Sequence, residues 1–163
     1  MLIIGIDPGC SGALVALLDG CTYVAGLRMP VVKIGKSTRV NGAAVAAFLR
    51  AYPPRHVYLE SVHAMPGNGA TSMFSFGHSA GVAEGVLSAI GAPYSLVTPQ
   101  AWKRSAGLIG TDKDAARSRA VQLWPDCRAL DAKEAGQAFA DAALIARFGY
   151  GAASALLAGD APR

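Results

Sequence analysis

Short apolar runs that end at turn signals open the chain. Residues 2–6 are apolar and stop at Asp-Pro-Gly, which is typical of a buried strand that meets a turn. Residues 13–18 predict a second strand, and Asp19-Gly20 is a hairpin signal before a third strand at 22–29. The first part of the chain is therefore predicted to form an antiparallel three-stranded meander.

Helical and strand patterns alternate in the rest of the chain. A polar, basic loop is predicted at 30–40, with further strands at 56–60 and 94–97. The predicted helices are 41–52 with Asn41 as its cap, 71–90 with Thr71 as its cap, 99–105, 112–123 with Thr111 or Asp112 as its cap, and 133–148 ending at Gly149. This order predicts an α/β fold in which one mixed five-stranded sheet, with three antiparallel strands and then strand–helix alternation, is flanked by helices.

Composition limits the class of protein. The chain has 163 residues, of which 52% are hydrophobic and 16% charged, which fits one folded domain and excludes disorder. We assign 1–149 to that domain and 150–163 to a C-terminal tail. No apolar run reaches the roughly 18–20 residues of a membrane span, and the first residues lack the basic start of a signal peptide. Three cysteines without a CxxC pair favour a reducing, cytoplasmic location and argue against a zinc site.

Three glycines form a row in the predicted helix at 71–90. Gly77, Gly81 and Gly85 are spaced four residues apart, so they share one helix face. Each glycine costs about 1 kcal/mol relative to alanine in a helix, so a row of them indicates the close approach of another backbone. That backbone belongs either to the chain's own sheet or to a second subunit, and the sequence leaves both possibilities open.

Acidic residues are scarce, and three of them occupy unusual positions. Asp7 and Glu60 each end an apolar predicted strand, where ligands of open α/β sheets bind, and Asp141 lies among small and apolar residues. An unpaired buried carboxylate is costly, and coordination of one or two Mg²⁺ ions would satisfy all three, because Mg²⁺ prefers oxygen ligands. Alternatively, Asp7 could cap the turn that follows it, Glu60 could pair with an arginine, and Asp141 could pair with Lys103 or Lys113.

Five short motifs are spread over about residues 1–148. They are IGIDPGCSGA at 4–13, VYLE at 57–60, VTPQAWK at 97–103, GTDK at 110–113 and ADAALIA at 140–146. In this order they resemble the motifs of the RuvC-type Holliday junction resolvases, most closely the small phage-associated branch of that family. The first motif alone is moderately specific, because sugar-kinase-like ATPases also begin with a strand, an aspartate and a glycine.

The resemblance implies an RNase H-like fold and a homodimer that cuts four-way DNA junctions. It implies two Mg²⁺ ions per active site, for which Mn²⁺ is expected to substitute, with Asp7, Glu60 and Asp141 as metal ligands. It also implies that Lys103 and Lys113 act at the scissile phosphate, where an ammonium group stabilises developing negative charge. The implied location is the cytoplasm of a bacterial or phage-infected cell.

The last helix departs from the family's pattern. The family has a second acid three to five residues before the last one, whereas this chain has Gly136, Gln137 and Ala138 there. Glu134 lies seven residues before Asp141, two helical turns away on the same face, and is our candidate for the fourth metal ligand. The alternative for Glu134 is a solvated acid at the helix start, a position that the helix dipole favours.

Basic and aromatic residues predict a DNA-binding surface. The net charge is +4, and four of the acids are assigned to one metal site, so the remaining surface is strongly basic. The candidate DNA contacts are Lys33, Lys36 and Arg39 in the predicted loop, and Arg104 and Arg117 in the predicted helices. The resemblance adds His63 and Phe74 beside the glycine-rich segment, because the family uses an apolar or aromatic residue there to probe the junction centre by stacking.

The sequence thus predicts a Mg²⁺-dependent endonuclease that resolves four-way junctions by paired phosphodiester hydrolysis. Two other hypotheses stay open. One is an RNase H-like nuclease that cuts RNA–DNA hybrids, and the other is a catalytically impaired junction-binding protein, which the missing fourth acid favours. A sugar-kinase-like ATPase is less well supported, because 163 residues are too few for its two domains. No membrane partner is expected.

Overall fold

The computed structural model describes residues 1–61, 63, 67, 69–112 and 114–157. Within these ranges the strands are β1 (Leu2–Asp7), β2 (Ala13–Leu18), β3 (Thr22–Arg28), β4 (Val31–Ile34), β5 (Ser37–Val40), β6 (His56–Glu60) and β7 (Tyr94–Val97). The α-helices are α1 (Gly42–Ala51), α2 (Ala70–Ala89), α3 (Pro99–Ala106), α4 (Ala115–Leu123) and α5 (Lys133–Leu157), and a short 3-10 helix spans Arg128–Leu130. The main sheet has the order β3-β2-β1-β6-β7.

Strand β1 lies at the centre of the main sheet and is buried on both faces. It pairs antiparallel with β2 and parallel with β6, and β7 pairs parallel with β6. Because successive side chains of a strand point to opposite faces, Ile3 packs in the core beneath α3, α4 and α5, whereas Ile4 and Ile6 pack beneath α1 and α2. The mixed five-stranded sheet predicted from the sequence is confirmed.

Helix α5 lies directly on the middle of β1, because both elements carry small residues there. Ala142, Ala143 and Ala146 have no exposed surface. A Cβ on Gly5 would overlap backbone atoms of Ala142 and Ala146. The missing side chain therefore lets the two backbones approach more closely than any other residue would permit. Gly5 lies two residues before the end of β1, so this contact fixes where α5 crosses the strand.

Residues 30–40 form a β-hairpin and not the predicted loop. Strands β4 and β5 pair antiparallel from Val31 opposite Val40 to Ile34 opposite Ser37, and Gly35 turns the chain with a φ of 59°. Valine, isoleucine and threonine occupy much of this segment, and these β-branched residues favour paired strands. The prediction was wrong because it gave the basic residues more weight than the β-branched ones.

The starts of two helices differ from the prediction. Helix α2 begins directly after Gly69 without a side-chain cap, so Thr71 lies inside the helix. Helix α4 begins after Asp114, whose backbone N–H donates to the Asp112 carboxylate at 3.0 Å. The predicted cap of α1 is confirmed, since the side chain of Asn41 accepts a hydrogen bond from the backbone in the first turn.

Helix α5 continues through Gly149 to Leu157, so its predicted end was wrong. Gly149 is buried against the ring of Tyr58, which a Cβ at this position would overlap, so the glycine allows close packing and does not end the helix. The next residue, Tyr150, packs against the same core and against Gly20. The domain boundary drawn after residue 149 thus falls within a helix.

Although α5 has 25 residues, no described helix is both long and apolar enough to cross a membrane.

The glycine row of α2 faces open space. A Cβ on Gly77, Gly81 or Gly85 would have no described neighbour within 4 Å, and all three residues are exposed. Packing of this row on the chain's own sheet, one of the two possibilities that the sequence left open, is therefore wrong. Contact with a second subunit stays a prediction.

Gly5→Ala is expected to destabilise the protein by about 1–3 kcal/mol, because the added methyl group pushes α5 away from β1. Unfolding in urea, followed by circular dichroism, measures the change. The matched control is Gly151→Ala in α5, where a Cβ meets nothing within 4 Å. The control is expected to gain about 1 kcal/mol from helix propensity. Equal stability of Gly5→Ala and the wild type would show that α5 is not held at this distance.

Candidate functional site

Asp7 and Glu60 lie side by side at one edge of the main sheet. The parallel pairing of β1 with β6 places Ile6 opposite Leu59, so the two acids follow at the same level on adjacent strands. Parallel neighbours are roughly 4.8 Å apart, and residues in register point to the same face. Strand register alone thus brings the two carboxylates together.

Helix α5 brings Asp141 to the same edge. Its neighbour Ala142 contacts Gly5, so Asp141 lies near the carboxyl end of β1. The charge of Asp7 raises the pKa of Asp141, and the charge of Asp141 raises the pKa of Glu60. The three acids singled out in the sequence therefore form one carboxylate cluster, built from two strands and a helix.

Each carboxylate of the cluster accepts one hydrogen bond from a described residue. The donors are the Gly9 backbone N–H to Asp7 Oδ1 at 3.3 Å, Trp102 Nε1 to Glu60 Oε1 at 2.7 Å, and Gln137 Nε2 to Asp141 Oδ1 at 3.0 Å. Asp7 thus does bond to the turn that follows it, as one alternative proposed. Glu60 bonds to a tryptophan and not to an arginine.

Burial and mutual repulsion raise the pKa of all three acids. Burial and the neighbouring charge of Glu60 raise the pKa of Asp7 to about 6. Burial and the charge of Asp7 raise the pKa of Asp141 to about 6. Burial also raises the pKa of Glu60, where the charge of Asp141 adds to the rise and the Trp102 hydrogen bond opposes it. The cluster therefore holds more negative charge than its surroundings compensate.

The chemistry of the cluster fits a divalent cation. None of the three carboxylates forms a salt bridge with another described residue. Oxygen donors with uncompensated negative charge are what Mg²⁺ and Mn²⁺ bind. As placed, no three His, Cys, Asp or Glu side chains in the described ranges are positioned to hold one ion together. A cation held by all three carboxylates would require them to lie closer together than they do here.

Glu134 lies outside the carboxylate cluster. It is exposed in the first turn of α5, as the solvated alternative proposed. Seven residues of helix separate its backbone from Asp141 by roughly 10 Å along the axis. Gln137, one turn before Asp141, occupies the nearer position and bonds to Asp141 directly. The structure thus offers no support for Glu134 as the fourth metal ligand.

Lys103 lies beside the cluster. Its Nζ is 5.4 Å from the centre of the Trp102 ring, and its charge lowers the pKa of both Glu60 and Asp141. The side chain is exposed and lines, together with Asp141, a cavity of about 240 Å³. Lys113 lies outside the described residues, so its role stays a prediction.

Three of the predicted DNA contacts lie on the β4–β5 hairpin. Lys33 and Lys36 are exposed, and Lys33 Nζ donates to Thr38 Oγ1 at 2.6 Å. The guanidinium of Arg39 lies 5.6 Å from the centre of the Phe74 ring on α2. Phe74 is 66% exposed, which is unusual for a phenylalanine and leaves part of its aromatic ring accessible for stacking.

The other predicted DNA contacts are scattered. His63 and Arg104 are exposed. Arg117 is already engaged, because its Nε donates to the Leu130 carbonyl at 2.8 Å and its guanidinium also donates to the Asp131 carbonyl at 3.1 Å. These bonds connect α4 to the segment before α5, so the structure gives Arg117 a role in packing.

A cleft of about 710 Å³ opens beside Asp7, between the hairpin and the first half of α2. Its lining is rich in hydroxyl groups, namely those of Ser11, Thr38, Thr71, Ser72, Ser75 and Ser79. Phe76 also lines it. Hydroxyl groups and backbone amides are common partners of nucleic-acid phosphates. The cleft thus leads from the carboxylate cluster towards the basic hairpin.

The sequence interpretation missed two residues that contact the cluster directly. Trp102 directly precedes Lys103 in a motif that was singled out, and a buried tryptophan usually needs a partner for its N–H. Gln137 was considered only as a residue that is not acidic. Its spacing of four residues from Asp141 places both on one helix face, which was a usable signal.

The strand order, the mixed pairing and the helices on both faces define an RNase H-like fold. No family model and no curated protein matches the chain. Among solved structures, that of T. thermophilus RuvC in complex with a Holliday junction substrate aligns with a TM-score of 0.66 and 20% identity, over 98% of this chain and 97% of that chain. A structure of Thermus thermophilus RuvC aligns with a TM-score of 0.60 and 18% identity, over 98% of each chain. The chain has the fold of these RuvC structures along nearly its whole length, which confirms the resemblance at the level of the fold.

Asp141→Asn is expected to stabilise the metal-free protein at neutral pH. The pKa of Asp141 is about 6 in the folded protein and 3.8 ordinarily, so stability falls as the pH rises through this window. A neutral asparagine removes this loss, which is on the order of 2 kcal/mol at neutral pH and nearly absent near pH 4. Urea unfolding in the presence of a chelator measures both values. Asp126→Asn, at an exposed position, is the control. A variant less stable than the wild type at neutral pH would contradict the assignment of repulsion to the cluster.

Proposed function

We propose that this protein is a divalent-metal-dependent endonuclease that resolves four-way DNA junctions by paired hydrolysis of phosphodiester bonds. The observation that carries the proposal is the convergence of Asp7, Glu60 and Asp141 at one sheet edge, where none of them forms a salt bridge with a described residue. The fold shared with a RuvC structure that holds a Holliday junction suggests the substrate class. The proposed location is the cytoplasm of a bacterial or phage-infected cell.

Asp7, Glu60 and Asp141 are the residues that would hold Mg²⁺ or Mn²⁺, two ions in each site. Bound divalent cations supply neutralisation of the scissile phosphodiester and activation of the attacking water. The protein's own contribution is to hold the carboxylates close together and to orient them, with Trp102 donating to Glu60. Because the pKa values of the three acids are raised, metal binding is expected to release protons near neutral pH.

Lys103 is proposed to stabilise negative charge on the phosphate that is cut. Its ammonium group is exposed beside the carboxylate cluster, and its charge already acts on Glu60 and Asp141. Such a group stabilises the charge that develops during hydrolysis. Lys103→Met is therefore expected to slow cutting while junction binding, measured by gel shift, persists. Lys113 is proposed for the same role.

The hydroxyl-lined cleft and the basic hairpin are proposed to hold one DNA strand on its way to the cluster. Lys33, Lys36 and Arg39 would contact phosphates, and Arg104 would do so from α3. The exposed ring of Phe74 is proposed to stack on a base near the junction centre, because stacking needs an accessible aromatic face. His63, which is exposed, is a further candidate.

The protein is proposed to act as a homodimer in which the glycine row of α2 meets a second copy. Exposed glycines at a helix surface allow two helix backbones to approach closely, and this row has no described neighbour in the single chain. Gly81→Leu is therefore expected to convert a dimer into monomers, as measured by sedimentation equilibrium. Gly151→Leu is the control, since Gly151 has an equally open environment on α5.

Cleavage of a labelled synthetic four-way junction tests the proposed activity. We expect paired nicks that require Mg²⁺ or Mn²⁺, with no cutting of a linear duplex. Asp7→Asn is expected to lower the rate by about 100-fold or more, since several kcal/mol of charge stabilisation depend on the metal. Asp126→Asn, an exposed acid outside the cluster, is expected to cut at the wild-type rate.

The two remaining hypotheses give different results in the same assay. Cutting of an RNA–DNA hybrid in preference to the junction would favour an RNase H-like nuclease. Tight junction binding without metal-dependent cutting would favour an impaired junction-binding protein, which the absence of a fourth acid beside Asp141 suggests. Either outcome would contradict the resolvase proposal.

A further inference from the structure

Gln137 holds an incompletely satisfied amide next to the carboxylate cluster. Its Nε2 donates to Asp141 Oδ1 at 3.0 Å. Its Oε1 is buried and has no hydrogen-bond partner among the described residues. A buried amide oxygen without a partner is unfavourable, and such groups in native proteins usually have a specific reason.

The position of this oxygen suggests its partner. Gln137 and Asp141 are four residues apart on α5 and so lie on one face of the helix. Both line the cavity of about 240 Å³ that Lys103 also lines. Asp141 in turn interacts with the charges of Asp7 and Glu60. The free amide oxygen thus belongs to the same amide group as the nitrogen that bonds to Asp141, one of three acids whose mutual repulsion raises their pKa values.

We propose that Gln137 ligates the divalent cation of the cluster through Oε1 and so takes the place of an acidic ligand. The inference rests on the proposed function only in that it needs a divalent cation at the cluster. Amide oxygens are ordinary ligands of hard cations. The same side chain can bind the cation with Oε1 and keep Asp141 oriented with Nε2. A neutral ligand adds no charge to a cluster whose acids already repel one another. It also binds the cation less tightly than a carboxylate at the same position would.

Metal affinity measured without DNA tests this assignment. Mn²⁺ is titrated into metal-free wild type, Gln137→Glu and Gln137→Met by isothermal calorimetry. Gln137→Glu keeps an oxygen at the same reach and adds a charge, so its Kd is expected to fall about tenfold. Gln137→Met has a similar length without an oxygen, so its Kd is expected to rise about tenfold. Gln122→Glu, an exposed change on α4, is expected to leave the Kd unchanged.

The glutamate variant separates a ligand from a residue that only positions Asp141. In a purely positioning role, Gln137→Glu loses the donor and places a like charge beside Asp141, with no oxygen on the metal to offset it. Mn²⁺ binding no tighter than that of the wild type would therefore overturn the proposal. Circular dichroism establishes that each variant is folded, and Gln137→Glu alone decides the question if Gln137→Met is not.

Failure of this inference is distinguishable from failure of the proposed function. A wild type that cuts junctions, with a glutamate variant that binds Mn²⁺ no more tightly, removes the ligand assignment and leaves the resolvase. A wild type that shows the expected Kd changes but cuts no junction leaves the ligand assignment and removes the resolvase. A wild type that binds no Mn²⁺ overturns the inference.

Discussion

The contact between the backbones of β1 and α5 at Gly5 decides where the acidic cluster forms. A glycine in a central strand is unfavourable for chain entropy, and here it permits a helix to lie directly on the sheet. Buried alanines of α5 complete the close fit. Because Asp141 directly precedes Ala142, this contact sets its position relative to Asp7 at the end of the same strand. A bulkier residue at position 5 would shift the third carboxylate away from the other two.

Stability and activity make opposite demands on this site. Three acids with raised pKa values weaken the metal-free fold at neutral pH, as expected where function requires like charges to be close. The two apolar clusters on either face of the sheet offset this cost. Strand register and the backbone contact of α5 hold the acids together, so their proximity does not depend on flexible loops.

Local sequence patterns predicted the parts of the fold that local patterns determine. Apolar runs predicted the five strands of the main sheet, and acids at the ends of two runs predicted the pair formed by Asp7 and Glu60. One error was local, since the β-branched residues of segment 30–40 indicated the β4–β5 hairpin that was predicted as a loop. Another error occurred where a distant contact decides the outcome. Gly149 resembles a helix end in the sequence but packs against Tyr58 inside α5. The bond from Trp102 to Glu60 likewise depends on packing that spacing does not reveal.

We propose that the fold gathers three carboxylates to bind a divalent cation. The most direct measurement is a crystal structure at saturating Mn²⁺, with the ion located by its anomalous scattering. We expect an anomalous peak bounded by carboxylate oxygens of Asp7, Glu60 and Asp141, and we expect its loss in Asp7→Asn. A peak elsewhere, or none while the three carboxylates keep only their protein hydrogen bonds, would contradict it.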